Sequence, residues 1–261
     1  MTTPPPPCAA LGRQCRELEL TLQVADLSDD GPVFHDAVAT WLLGHTERIT
    51  FGHPYARGER LLVDATVHVP CKYLRSPRGH GGSERCAAHG FAGSIPPSTQ
   101  PGARARLRER GGRYTVVQDG EVRTLELASR SPSRRALPTL QTPNPCVGAP
   151  CRTADNQPGA ACCRDLTIDV VLADQHQAAL LRSRAAPYLC NVSPAKAGIV
   201  ECEVISACGY LEGDALQCSL HDRVRPDGSP AKPSICSEWP DLEPGDAWHP
   251  GCRLVNGSRA S

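Results

Sequence analysis

Two stretches of this 261-residue chain alternate apolar and polar residues and read almost alike. Cys15-Arg16-Glu17-Leu18-Glu19-Leu20-Thr21-Leu22-Gln23-Val24-Ala25-Asp26 aligns without a gap on Cys163-Arg164-Asp165-Leu166-Thr167-Ile168-Asp169-Val170-Val171-Leu172-Ala173-Asp174. A period of two sends successive side chains to opposite faces, so both predict half-buried β-strands, each starting at a cysteine. Leu18, Leu20, Leu22 and Val24 share one face. Leu166, Ile168, Val170 and Leu172 share the matching face.

The same alternation runs through Leu61, Val63, Ala65, Val67 and Val69, with Cys71 in phase at the strand end. His68 is out of phase and is expected on the surface. Val200, Cys202 and Val204 alternate toward Cys208, and residues 46–53 read as a short strand. Phe34, Val38, Trp41 and Leu42 have helical spacing, after a start at Asp29-Asp30-Gly31-Pro32 and before a stop at Gly44. Trp41 is expected in a core. A second helix is capped by Asp174, with Gln177 placed to bond back and Pro187 as terminator; Cys190 follows in a loop. Asp119-Gly120 predicts a hairpin at 113–128. The Arg-, Gly- and Pro-rich run 94–112, with Arg104, Arg106, Arg108, Arg110 and Arg113, reads as a solvated linker, as does 129–145.

Shorter echoes recur in the same order. Cys208-Gly209-Tyr210-Leu211 repeats Cys71-Lys72-Tyr73-Leu74, and Cys218-Ser219-Leu220-His221 repeats Cys86-Ala87-Ala88-His89. The expected fold class is α+β: two degenerate repeats of a small sheet plus helix, with many irregular loops, stapled by cysteine-ligated metal. The expected organisation is a disordered Pro-rich tail at 1–7, a degenerate repeat at 8–100, an Arg/Pro-rich linker with its hairpin at 101–145, and a cysteine-cluster domain at 146–261.

Composition sharpens this picture. Aromatic residues make up 4% of the chain, with 23 Gly, 25 Pro and 14 Cys, so turns are many and the core is thin. Lys plus Arg balances Asp plus Glu, which removes any global field for nucleic acid. No run of eighteen apolar residues offers a membrane span. Residues 1–7 lack the regions of a signal peptide, so the expected localisation is cytoplasmic. In that compartment metal ligation explains the cysteines better than disulfides; an extracytoplasmic disulfide scaffold is the competing reading.

Thiolates are soft donors that suit zinc, copper(I) and iron–sulfur clusters, and a structural site needs about four in tetrahedral array. Cys151, Cys162 and Cys163 are close in sequence; Cys208, Cys218, Cys236 and Cys252 are distant. Neighbours on a strand diverge, so Cys162 and Cys163 share a centre only if the backbone bends, which Pro158 and Gly159 permit. His89 and His221 are alternative donors in Cys-x-x-His turns. Cys8, Cys15, Cys71 and Cys86 are enough for a second centre; they could instead complete one site at the junction of the halves, or be reduced, buried thiols. A Walker loop, a dinucleotide fingerprint and a nucleophile elbow are absent.

The second half resembles the YkgJ-type cysteine-cluster family, described as zinc- or iron-chelating domains. The residues that carry the resemblance are Cys151, Cys162-Cys163, Cys208-Gly209-Tyr210-Leu211, Cys218-Ser219-Leu220-His221 and Lys232-Pro233-Ser234-Ile235-Cys236-Ser237-Glu238-Trp239-Pro240, with Cys252 beyond. It spans about residues 146–253. The wide gap between Cys151 and Cys162 departs from the family's tight spacing and leaves Cys146 and Cys151 both open for the leading place. The resemblance implies a metal-binding protein that holds zinc or iron on Cys151, Cys162, Cys163, Cys208, Cys218 and Cys236, with Cys146 and Cys252 next. It implies no reaction. An iron–sulfur oxidoreductase, or an accessory to one, is the enzymatic alternative.

Overall fold

The computed structural model describes residues 5–26, 41–42, 44–45, 47–76, 83–96, 108–110, 113–118, 121–126, 152–153, 156–212, 217–221, 223–233 and 236. It is a strand-rich mixture of sheets and a few helices. The strands are β1 (Leu18–Asp26), β2 (Ile49–Phe51), β3 (Tyr55–Arg57), β4 (Arg60–Val67), β5 (Leu74–Arg75), β6 (Glu84–Cys86), β7 (Ala92–Gly93), β8 (Arg108–Arg110), β9 (Arg113–Gln118) and β10 (Glu121–Glu126). Helices α1 (Ala161–Arg164) and α2 (Gln175–Arg182) flank β11 (Asp165–Val171), and β12 (Leu189–Cys190), β13 (Ile199–Ile205), β14 (Leu211–Glu212) and β15 (Gln217–Cys218) follow. The chain forms two compact units. One takes Met1–Asp29, Arg48–Gln100 and Thr167–Ser206; the other takes Asp30–Glu47, Pro101–Leu166 and Ala207–Ser261.

The first unit is built on a seven-stranded sheet in the order β12-β13-β11-β1-β4-β2, with β3 also on β4. The two look-alike stretches pair with each other, antiparallel, at its centre. Leu22 faces Val170, its own counterpart in the alignment, with Thr21 opposite Val171 and Gln23 opposite Asp169. The alternation is obeyed: Leu18, Leu20, Leu22, Ile168, Val170, Val63, Ala65, Val67, Val69, Val200, Cys202 and Val204 are all buried. Burial of such side chains is the main stabilising term, about 1.5–3 kcal/mol each. Leu172, beyond the end of β11, is only half-buried, and Val24 also departs from the pattern. Gln23 pairs with Leu62 and Ala25 with Leu61, so Val24 is the extra residue of a bulge and is only half-buried.

The cysteines do not start the strands. Cys15 closes a 3-10 turn at Arg13–Cys15, and Cys163 lies in α1. The chain enters α1 through Gly159 (φ 77) and Ala160 (φ 50), both in the left-handed region; this is the bend that Pro158-Gly159 permits. Helix α2 starts as its cap residues dictate. The Gln177 N–H donates to Asp174 Oδ1 at 2.8 Å, and Gln177 Oε1 accepts from the Ala173 N–H at 2.8 Å. Gln177 Nε2 also donates to the Glu19 carbonyl at 3.1 Å, which ties α2 to β1. Cys190 lies on β12, opposite Glu203, and not in a loop.

His68 is buried and not a surface residue. Its Nδ1 lies 3.3 Å from Glu17 Oε2 and its Nε2 2.8 Å from Thr50 Oγ1. Strand parity points it away from the valine face, but the buried carboxylate of Glu17 offers a polar partner there, so burial leaves the ring satisfied.

In the second unit, Gln118 pairs with Glu121, as a two-residue hairpin link requires. β8 adds a third strand from the Arg-rich run read as a linker. Of the expected first helix, Trp41, Leu42 and Gly44 are helical and Leu42 is buried; the rest, like the linker 129–145, lies outside the described residues. Among the described residues no helix is long and apolar enough to cross a membrane.

Candidate metal centre

The second unit brings Cys163, Cys208, Cys218 and Cys236 into one neighbourhood. The Cys208 N–H donates to the Cys163 carbonyl at 2.7 Å, so α1 meets the turn that follows β13. The Leu211 N–H donates to the Cys208 carbonyl at 3.0 Å. The β14–β15 hairpin sets Leu211 opposite Cys218, and the Ser219 N–H donates to the Tyr210 carbonyl at 2.7 Å. Tyr210, Leu220 and Ala231 form a small buried cluster against which Cys208 and Cys218 pack. Gly44 seats the set: a Cβ there would stand 2.8 Å from Cys208 Sγ and 3.2 Å from the Tyr210 ring.

The thiols form one electrostatic group. Burial pushes the Cys208 thiol up; the Tyr210 N–H at its sulfur opposes this, and Cys163, Cys218 and Cys236 add to it. Cys236 is pushed up to about 12, by burial first and then by Cys163 and Cys218. Burial also raises Cys218, against the Leu220 and His221 N–H groups at its sulfur and the nearby Lys232. Without an added cation such thiols stay protonated. Backbone N–H groups aimed at sulfur, however, suit a thiolate, and an ion that takes four thiolates supplies the missing charge.

The first unit repeats these relations. The Cys71 N–H donates to the Cys15 carbonyl at 2.8 Å, the Leu74 N–H to the Cys71 carbonyl at 3.0 Å, and the Ala87 N–H to the Tyr73 carbonyl at 2.8 Å. Leu74 stands opposite Cys86, as Leu211 does opposite Cys218. Arg16 Nη2 pairs with Glu84 Oε1, fastening the residue after Cys15 to β6. Burial raises the Cys8 thiol, followed by the charges of Cys15, Cys71 and Cys86, with Arg184 opposing. His89 Nδ1 lies 3.4 Å from Cys86 Sγ and its ring stacks on Phe91.

Among the described residues, no group of three or more His, Cys, Asp or Glu side chains is disposed to hold an ion as it stands. Ligation requires the thiols to turn inward until each lies about 2.3 Å from a common point. The eleven described cysteines are thiols, not disulfides. Of the adjacent pair in α1, it is Cys163 whose charge Cys208, Cys218 and Cys236 feel. Cys162 is half-buried and the His221 side chain is exposed. Cys146, Cys151 and Cys252 lie outside the described residues.

Cys202, which alternation places in the sheet, is fully buried and pushed up to about 12, chiefly by burial and then by Cys190. The nearby Cys190 Sγ donates to Glu203 Oε2 at 3.7 Å. Gly44, Lys232 and Arg184 stand at the cysteine sets, yet nothing local in the sequence marks them. Gly44 reads as a helix stop, Lys232 is only part of the stretch around Cys236, and Arg184 carries no motif. No family model, curated protein or solved structure matches this chain.

Proposed function

We propose that the chain is a cytoplasmic metal-binding protein whose second unit holds zinc or iron on Cys163, Cys208, Cys218 and Cys236. The observation that carries this is geometric: the Cys208 N–H bonds the Cys163 carbonyl, and Cys208 and Cys218 pack against the same buried cluster; the influence of Cys163 and Cys218 on the Cys236 thiol adds the fourth member. The N–H groups at the Cys208 and Cys218 sulfurs and the side-chain-free seat at Gly44 add support. These four cysteines also belong to the set that resembles the YkgJ-type pattern. Cys146, Cys151, Cys162 and Cys252 would extend the shell if the centre holds more than one ion, as in an iron–sulfur cluster.

In this reading the two look-alike stretches are degenerate repeats, and the ion staples a region with few buried apolar residues. Structural zinc supplies on the order of 10–16 kcal/mol of apparent binding energy near neutral pH. The net stability of a whole domain is roughly 5–15 kcal/mol. No reaction is needed to explain the cysteines.

Elemental analysis and visible absorption of anaerobically purified protein test this. Bound zinc in a colourless sample, lost in Cys218→Ser and Cys236→Ser, is the expected result. A brown sample with iron and acid-labile sulfide would move the assignment to a cluster. A folded protein free of any metal would end it.

A further inference from the structure

We propose that Cys8, Cys15, Cys71 and Cys86 form a second metal centre within the first unit, and that the buried guanidinium of Arg184 is its built-in counter-charge. This centre rests on the same thiolate chemistry as the function proposed above but uses none of the same residues. Its ligand class is a divalent ion of zinc or iron type.

Three of the four ligands stand where the other set has its own. Cys15, Cys71 and Cys86 are joined by the relations that join Cys163, Cys208 and Cys218: carbonyl of the first to N–H of the second, and a hairpin that carries the third. The fourth ligand differs. Cys236 follows its hairpin, whereas Cys8 precedes its 3-10 turn.

Arg184 is only 3% exposed, deep burial for a cation. Its Nε donates to the Leu180 carbonyl, Nη1 to the Val69 carbonyl and Nη2 to Ser183 Oγ, each at 3.1 Å. All three acceptors are neutral, and among the described residues no carboxylate is bonded to the guanidinium. Its backbone bridges Cys71, clamped by the Ala185 N–H on the Pro70 carbonyl and the Lys72 N–H on the Ser183 carbonyl. A buried charge needs a compensating one. The residue bridged to Arg184 is Cys71, whose own N–H bonds the Cys15 carbonyl, so thiol-bearing residues stand beside the buried cation. The buried carboxylate of Glu84 is engaged by Arg16 and the Ile95 N–H.

Neutral thiols do not supply the missing charge; metal-bound thiolates do. A divalent ion on four thiolates leaves two negative charges, and one guanidinium offsets half of that. Loading releases the S–H protons to solvent as sulfur–metal bonds form, and nothing is oxidised or reduced.

Native mass spectrometry of the full chain, loaded with zinc and then challenged with a chelator, reads both centres. The wild type should hold two ions, Cys8→Ser and Cys236→Ser one each, and the double variant none. Cys8 lies in none of the described strands and its N–H bonds the Pro6 carbonyl, so its replacement leaves the sheet intact. A wild type with one ion that Cys8→Ser keeps and Cys236→Ser loses overturns the second centre and spares the first. One ion lost only in Cys8→Ser does the reverse, and no ion at all overturns both. Arg184→Gln should weaken the Cys8-dependent ion about 10–100-fold, while Arg184→Lys keeps more of the affinity. Equal retention in both folded variants would refute the counter-charge. Should Arg184→Gln not fold, chelator-driven release from Arg184→Lys, set against its unchanged Cys236-dependent ion, gives the same answer: release of the Cys8-dependent ion faster than in the wild type is expected, and an unchanged rate refutes the counter-charge.

Discussion

Cys15, Cys71 and Cys86 belong to the unit that contains the seven-stranded sheet. Cys163, Cys208 and Cys218 sit by a two-stranded hairpin and a buried cluster of Tyr210, Leu220 and Ala231. The local backbone relations are nearly the same, but the apolar support is not. The difference teaches that the same backbone relations form beside a large apolar sheet in one place and beside a small apolar cluster in another. It also extends to charge. Arg184 is buried among the thiols of the first set, whereas Lys232 beside Cys218 and Cys236 is only half-buried.

Metal removal should break the comparison open with the largest effect. After chelation, amides near Tyr210 and Leu220 should lose hydrogen-exchange protection, while those of β1, β4 and β11 keep most of theirs. A small apolar cluster cannot replace binding energy on the order of 10 kcal/mol. Uniform loss, or none, would contradict the contrast. Core truncation comes next. Leu22→Ala should cost about 2–5 kcal/mol with or without metal. Leu220→Ala should cost a similar amount and also speed metal release, which melts with and without chelator would reveal.

Gly44→Ala is a finer cut. The added carbon, at 2.8 Å from Cys208 Sγ, forces the thiol or Tyr210 aside at a cost of about 1–3 kcal/mol. Chelator competition should show weaker binding at the Cys236-dependent site alone. The smallest effect at neutral pH concerns Cys202. Its thiol is raised from 9.0 to about 12 in the folded state. The stability it confers is therefore present below about pH 9 and lost between about pH 9 and 12, near 1.4 kcal/mol per pH unit. Cys202→Ala should flatten the alkaline slope of a denaturant titration of metal-free protein; an unchanged slope would contradict this burial effect.

Much of the framework was legible in the amino-acid order. Alternation is a local property with a period of two, so it named the inward faces of β1, β4, β11 and β13, residue by residue. Cap chemistry named Asp174 and Gln177, because the partners are three residues apart. The likeness of residues 15–26 to residues 163–174 drew attention to the two strands that pair at the sheet centre. None of this could say that they pair with each other, since strand pairing is settled by contact across more than a hundred residues of chain. For the same reason His68 could not be read as buried, nor Val24 as the bulge. The cysteine types announced thiolate chemistry by their number alone. Which cysteines come into one neighbourhood, such as Cys163 beside Cys208, and why Gly44 must lack a side chain were decided only in three dimensions. Coulomb forces, desolvation and steric contact act through space, and the order of residues records them only when the partners are also neighbours in the chain.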